Sequence, residues 1–452
     1  MGVTLPEDAL AEILRRLPPR SLATSRCVCK AWRAIVDSRR LLLPELLPHS
    51  VRGIFFMCRD INFPLFLSHP STDPEMLGKL DFYRDPDLYG SASVLSHCNG
   101  LLLYEDIRGL HVANPATQRW AHLPPLPRFW GLFCHGAHLV FDPTESPHYE
   151  VFLVPENLFR EDPDMERREQ MTDEEWPPST WVLCVFSSRT GKWEERAFVR
   201  EGEAAGMASD KALQRHDERD SWPICSAYWN GVLFAQCNGG FTVMRISLSN
   251  NKHKVIKMPT GIGELEKVYL GRSKEELCCA TINREKLRVW ILDDSCGMMG
   301  WRLKHHIDIE YTISHVMWFI ENEGPWNLQD ISNNEDNGLQ NLQDVNNNED
   351  VNNNAPVKSK VEWDSDNDNI IDLESDDEVS FMGCNTVLGF HPYKDVIFLN
   401  FALERAVAYH LNTSVVQDLG KVRPDYYCGY AAELLSSFLY TPCLMAEFPE
   451  EG

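Results

Sequence analysis

The sequence lacks several things that would each assign a chemistry. Its 14 cysteines include no C-x-x-C pair. Cys27 with Cys29, and Cys278 with Cys279, stand too close together for the usual zinc-knuckle spacing. Scattered cysteines of this kind read as buried thiols in a reducing cytoplasm or nucleus. No apolar run approaches the ~20 residues of a membrane span. The start, MGVTLPEDALAEIL, puts acids where a signal peptide needs an apolar core. Gly2 is not followed by the hydroxyl residue that a myristoylation signal wants at the sixth position. Without secretion, the sequon Asn412-Thr413-Ser414 reads as a turn. There is no G-x-S-x-G and no H-E-x-x-H, and Gly191-Lys192-Trp193 lacks the rest of a phosphate-binding loop. His135 and His138 near Asp142 have no third ligand nearby, so they read as a polar pair on a hairpin rather than a metal site. No catalytic residue, metal or cofactor is expected.

Basic charge is also scarce. In 452 residues, 43 Lys plus Arg face 67 Asp plus Glu, a formal net charge of −24. That balance argues against a nucleic-acid backbone or an anionic membrane as the main partner. Apolar residues at 43 % and charged residues at 24 % are ordinary for a globular chain. The charge is segregated. Residues 321–381 carry 17 acidic and 2 basic side chains, and 156–177 carry 9 and 3, whereas 1–47 carry 8 basic and 5 acidic.

What is present begins with a helical module. Pro6 suits a first helical turn, and Glu7 and Asp8 complement the positive end of the helix dipole. Leu10, Ile13, Leu14 and Leu17 follow as one apolar stripe. Pro18-Pro19 ends that helix, Ser21 caps a second with Leu22, Cys27 and Val28, and a third carries Trp32, Ile35 and Val36. Three short helices in about forty residues bury too little surface to stand alone, so spare apolar positions should dock on a partner.

LPEDALAEILRRLPPRSLATSRCVCKAWRAIV resembles an F-box. The matching features are Leu5-Pro6 with Asp8, the Ile13-Leu14-x-x-Leu17-Pro18 run, Leu22, Arg26 and the Val28-Cys29-Lys30-x-Trp32 ending. The resemblance implies binding to the Skp-type adaptor of an SCF ubiquitin ligase and, through it, to cullin. It places Leu5 and Pro6 at the adaptor surface. Ile13, Leu14, Leu17, Pro18, Leu22, Val28, Cys29 and Trp32 would form or support the apolar contact.

From Val51 the texture changes to period-two alternation with turn residues and many aromatics, and no convincing helix is expected before the last thirty residues. Short units recur. Cys98-Asn99-Gly100-Leu101 matches Trp229-Asn230-Gly231-Val232, a tight turn followed by an apolar strand. A strand, polar turn and strand recur around Asn114–Trp120, Ser187–Trp193, Ile246–Ile256, Val289–Leu303 and Leu411–Val416. Irregular repeats of this kind mark a β-propeller of degenerate blades, six to eight at roughly 43 to 57 residues each. The repeated Trp residues read as packing anchors. This region resembles the F-box-associated domains of plant, especially grass-type, F-box proteins, through NPATQRWAHLPPLP, FDPTESPHYEVFLVP, FSSRTGKWEERAF, VMRISLSN, LRVWILDDSCGMMGWRLKH and LGFHPYKDVIFL. That resemblance implies target recognition without naming the target.

Residues 327–354 hold 11 Asn in 28 positions and a 14-residue duplication. So polar a tract cannot offset its ordering entropy, and it is expected to be disordered and to loop out between strands. Within the acidic stretch 321–381, Ile370-Ile371-Asp372-Leu373 before Glu374-Ser375-Asp376-Asp377-Glu378 resembles a SUMO-interacting motif. A short branched segment of this kind can add a strand to a partner sheet. Ser375 before three acids is a candidate phosphorylation site.

The expectation is a mainly β chain with a small helical module: an F-box over 1–48, a propeller-like region over 49–320 and 382–452, and a disordered acidic insert over 321–381. It is read as a non-catalytic substrate receptor of an SCF-type ligase. The target surface would come from inter-strand loops such as 156–180 and 202–222. The rival is an interaction scaffold that binds the adaptor without directing ubiquitination.

Overall fold

The computed structural model describes residues 6–17, 21–22, 25–26, 28–39, 41, 51–59, 61, 63–70, 92–127, 135–155, 175–207, 225–237, 242–263, 266–283, 285–294, 299–318, 324–330, 368–371, 385–402, 404–424, 434–444 and 448. Helices α1 (Glu7–Arg15) and α2 (Lys30–Ser38) form the N-terminal module. Strands then dominate: β1 (Gly53–Cys58), β2 (Leu65–Ser68), β3 (Ser93–Cys98), β4 (Leu101–Asp106), β5 (Gly109–Asn114) and β6 (Arg119–His122). After them come β7 (His135–Val140), β8 (Glu150–Pro155), β9 (Glu175–Trp176), β10 (Thr180–Ser187), β11 (Lys192–Arg200) and β12 (Gly206–Met207). Next are β13 (Ser226–Trp229), β14 (Val232–Cys237), β15 (Thr242–Ser247), β16 (Lys252–Lys257), β17 (Val268–Ser273), β18 (Glu276–Asn283), β19 (Lys286–Asp293) and β20 (Gly300–Asp308). The chain continues through helix α3 (Glu310–Trp318) into β21 (Asn327–Asp330), β22 (Thr386–Phe390), β23 (Val396–Phe401), β24 (Arg405–His410), β25 (Val416–Lys421) and β26 (Leu434–Tyr440).

Four antiparallel strands are the recurring unit. β3-β4-β5-β6, β17-β18-β19-β20 and β22-β23-β24-β25 are separate sheets. β7-β8-β10-β11 and β13-β14-β15-β16 are further units, joined by a short parallel pairing of Val199 with Lys252 and Arg200 with His253. The last sheet, β21-β2-β1-β26, takes strands from both ends of the β region. Gly53 pairs with Ser68 on one side and Tyr440 on the other. Phe55, Phe66 and Tyr440 pack there with ring centroids 4.4 to 6.0 Å apart.

The repeats mark fixed places in this unit. Asn99-Gly100 and Asn230-Gly231 join the first strand of a sheet to its second, with Cys98 opposite Leu101 and Trp229 opposite Val232. Both residues of each pair have positive φ, the geometry of the two-residue turn that matches strand twist. At Gly100 the backbone also passes Cys443 so closely that a Cβ would lie 2.6 Å from the Cys443 Cβ. The polar turns after Asn114, Ser187, Ser247, Asp293 and His410 all join the third strand to the fourth. The recurring Trp residues Trp120, Trp193 and Trp301 begin or nearly begin those fourth strands and are half-buried against the cores.

Apolar cores lie between sheets. One joins β1, β2 and β26 to β3, β4 and β5. Another joins β3, β4 and β5 to β7, β8 and β10, and is continuous with the core of the helical module. Others join the β7–β11 unit to β14 and β15, then β13–β16 to β17–β19. The remaining two join β18 and β19 to β22–β24, and β22–β25 back to β1, β2 and β26.

Two expectations are corrected. Among the described residues, the first helix of this region is α3, ahead of the last thirty residues, where β26 is a strand. Ile309, Ile313 and Val316 drop into the core beneath β18, β19 and β23, and this burial holds the helix. The acidic insert is narrower than 321–381. β21 pairs with β2 from Leu65–Asp330 to Ser68–Asn327, and Ile370 bridges Gln417. Leu328 packs on apolar neighbours and Ile371 is buried, so both flanks of the polar tract have apolar surface to gain from order. Residues 331–367, with most of the Asn-rich duplication, lie outside the described residues.

Candidate functional site

The helical module is built from the start signals in its sequence. Pro6 caps α1 with an extended backbone, and its carbonyl accepts from the Leu10 N–H at 3.0 Å. Arg15 sits in the last turn and binds Glu12. An ion pair from Arg39 to Asp8 at 2.6 Å ties the end of α2 to the start of α1. Ala11, Leu14, Leu22, Ile35 and Val36 form the internal core, and the Ser25 hydroxyl donates to the Leu22 carbonyl at 2.6 Å.

The apolar stripe of α1 therefore splits. Leu14 faces inward with Ala11, three residues apart, while Ile13 is 48 % exposed and Leu17 half-buried on the next ridge. Leu22 belongs to the internal core. Val28 is 63 % exposed, Cys29 is exposed and Trp32 is half-buried. Pro6 is exposed at the N-cap, whereas Leu5 and Pro18 lie outside the described residues. Leu14 and Leu22 are thus support, and Ile13, Val28 and Cys29 present surface.

The β region offers a second candidate surface. The loops 156–180 and 202–222 approach each other where they are described. Gly206 pairs with Trp176 and Met207 with Glu175, and the Ala205 N–H donates to the Trp176 carbonyl at 2.8 Å. Arg200 clamps this ladder, binding Pro177 O and Glu175 at 2.6 Å each. Residues 156–174 and 208–222 lie outside the described residues.

The SUMO-type motif is only half available. Ile370 is 51 % exposed, but Ile371 is 8 % exposed and packs in the core under α3. The Ile371 N–H donates to Val416 O at 2.8 Å, and the Asp418 N–H donates to Asn369 O at 2.9 Å. The segment already uses its strand hydrogen bonds on β25. Asp372, Leu373 and Ser375 lie outside the described residues.

No group of three or more metal-ligating side chains meets among the described residues. The side chain of His135 lies outside them. His138 is buried with neither ring nitrogen partnered, and burial pushes its pKa down to about 4. His97, on β3, is lowered to about 4 for the same reason. Both rings are neutral in the folded chain, whereas an unfolded His protonates near 6.5. Stability is therefore full above that pH and is lost as pH falls from 6.5 toward about 4. The urea midpoint should drop between about pH 7.5 and pH 5, and His138→Leu should flatten that dependence. An unchanged slope in the variant would contradict this account. Burial raises the Cys98 and Cys278 thiols to about 12, which suits packing rather than nucleophilic chemistry.

Comparison with known proteins bears on the helical module first. The F-box domain family matches residues 4–44. A putative F-box protein of Arabidopsis thaliana is 22 % identical over 65 % of this chain and 69 % of its own length. A second from the same plant is 26 % identical over 36 % of this chain and 54 % of its own length. The chain therefore spans between about half and two thirds of these relatives. Among solved structures, YCF48 bound to D1 peptide is similar over 90 % of this chain and 96 % of that one, at 8 % identity and a TM-score of 0.34, too low to carry an argument. The chain therefore carries an N-terminal F-box domain followed by a β-rich region, and it is similar to F-box proteins of Arabidopsis thaliana.

Proposed function

We propose that this chain is the substrate-recognition subunit of an SCF-type ubiquitin ligase, its F-box docked on a Skp-type adaptor and its β region holding the target. The observation that carries this reading is the F-box at 4–44, whose Ile13 and Val28 point outward while its own core is filled by Leu14, Leu22, Ile35 and Val36. Such a subunit needs no covalent step. Holding the target at a fixed distance from a charged enzyme raises the effective concentration of its lysines.

The β region is read as a closed propeller of six blades. Six four-stranded units, six shared apolar cores and a sheet that takes both chain ends support this. Target contact is assigned to the paired loops around β9 and β12, where the acidic 156–177 stretch favours a basic partner. The cytoplasm or nucleus suits the cysteines described, which are all free. Among the described residues, no helix is long and apolar enough to cross a membrane.

Affinity capture of the full chain from plant cells, with the proteasome blocked, tests the reading. Adaptor and cullin should be recovered together. Adaptor without cullin would favour a scaffold, and recovery of neither would overturn the proposal.

A further inference from the structure

Strand β16 is the fourth strand of its unit, and its outer edge is only partly covered. β11 pairs with its first two residues, Val199 with Lys252 and Arg200 with His253. The Val199 N–H donates to Asn251 O at 2.9 Å and the Glu201 N–H to His253 O at 2.8 Å. β11 then ends at Arg200, and the chain bends at Gly202, which has a positive φ. No described strand continues the pairing along 254–257. The bonds to β11 also fix which groups face outward. Asn251 and His253 direct their carbonyls to this edge, and backbone groups alternate in direction along a strand. The N–H and C=O of Val255 therefore point to the open edge, away from β15.

Positive charge is concentrated beside this edge, in a chain whose net charge is −24. The register sets Arg245 of β15 directly opposite Lys254, with Lys252 next along the same face. Like charges so placed destabilise a ladder. Glu201 lies 3.6 Å from Arg245 and 3.7 Å from Lys252, so two of these three cations share one half-exposed carboxylate. Lys254 has no ion pair among the described residues, and neither does Lys257, which is exposed on the opposite face three residues on. The chain itself shows what an outer edge of this kind accepts. On β25 the segment Asn369–Ile371 lies as an added strand, with the Ile371 N–H on Val416 O and the Asp418 N–H on Asn369 O.

We infer that the open edge of β16 takes an extended acidic segment of a partner protein as an added strand, with Val255 making the backbone hydrogen bonds and Lys254 and Lys257 each holding a carboxylate. Main-chain pairing supplies the affinity in this mode, and the flanking side chains select the sequence. Lysine on an edge discourages apolar strands and by the same field attracts an acidic one. Because the two lysines stand three residues apart on opposite faces, the acids of the added strand should also stand three apart, one on each face. The edge begins beside Arg200, whose side chain clamps the β9–β12 ladder, so it adjoins the loops assigned to target contact. The inference deepens the proposed role by naming a class of target segment, and it rests on the reading that the β region holds a target.

The test uses the purified full chain and short fluorescein-labelled peptides of Thr, Val and Ser. One carries two Glu three positions apart, a second Gln at both positions, and a third the same Glu pair with Pro between them. Fluorescence polarisation should show saturable binding of the Glu peptide, at least about tenfold tighter than the Gln peptide and weaker in high salt. The Pro peptide, which lacks a backbone donor, should bind at least about tenfold more weakly than the Glu peptide. Lys254→Gln/Lys257→Gln should bring the Glu peptide down to the level of the Gln peptide, with a thermal midpoint close to wild type. Val255→Pro removes an outward N–H without touching the β15 ladder and should weaken both peptides; if that variant fails to fold, the Pro peptide carries this arm. Equal binding of Glu and Gln peptides, a preference that survives the double lysine variant, undiminished binding of the Pro peptide, or no saturation up to about 1 mM would each overturn the inference. Tighter binding of a single-stranded oligonucleotide of equal length would overturn it too, by making the strip a general polyanion site. Polarisation involves neither adaptor nor cullin, so this site can fail while the ligase reading stands, and the reverse.

Discussion

Adaptor binding by an Ile13→Asp/Val28→Asp double variant is expected to fall by at least about a hundredfold, with the protein still folded. Both side chains stand at 48 % and 63 % exposure on a module whose core is complete without them. If a partner covers them, each contributes about 1.5–3 kcal/mol, and a buried unpaired carboxylate in their place adds a further cost. Circular dichroism and the thermal midpoint should stay near wild type, because neither residue packs in the interior. Leu14→Ala provides the contrast. Leu14 has no exposed surface, so its truncation should cost about 2–5 kcal/mol and lose helix signal together with adaptor binding. Undiminished adaptor binding by the double variant would place the docking surface elsewhere.

The largest loss of stability is expected at Asp418. Arg405 is 1 % exposed, the most enclosed charged side chain described, and Asp418 accepts from its Nε at 2.8 Å and its Nη2 at 2.5 Å. Asp418→Ala leaves a guanidinium buried beside β25 without its counter-charge, at a cost of about 3–5 kcal/mol. Removing both charges with Arg405→Met/Asp418→Leu should recover most of that loss, since the penalty belongs to the orphaned ion rather than to the missing pair. Urea unfolding with an unchanged slope would report both effects. A loss under about 1 kcal/mol in Asp418→Ala would mean that the guanidinium finds another acceptor or reaches water.

Local chemistry was legible wherever a few neighbouring residues decide the outcome. Asn99-Gly100 and Asn230-Gly231 adopt positive φ and close hairpins because few other pairs tolerate that geometry. Pro6 with Glu7 and Asp8 begins a helix for reasons contained in those same three residues. Helix α3 was not legible. EYTISHVMW has β-branched residues and an apolar texture that fits a strand, and it is helical because Ile313 and Val316 fill a core made by β18, β19 and β23.

The division is sharpest at the candidate sites. The amino-acid order determined the F-box, since its helix signals and apolar spacing lie within forty residues. It also determined the strand-turn-strand repeat, because each unit is a local meander. Only the tertiary structure decided which apolar residues are free to dock. Ile13 and Leu14 are neighbours in the chain, yet one is outside and the other inside, because a helix turns by about 100° per residue and α2 covers a single side. It likewise decided that Ile371 belongs to the core rather than to a free motif. Asn99, Asn114 and Lys274 likewise bond across units, to Phe141, Cys443 and Pro392. That arrangement depends on strands far apart in the chain reaching one place, and no local pattern encodes it.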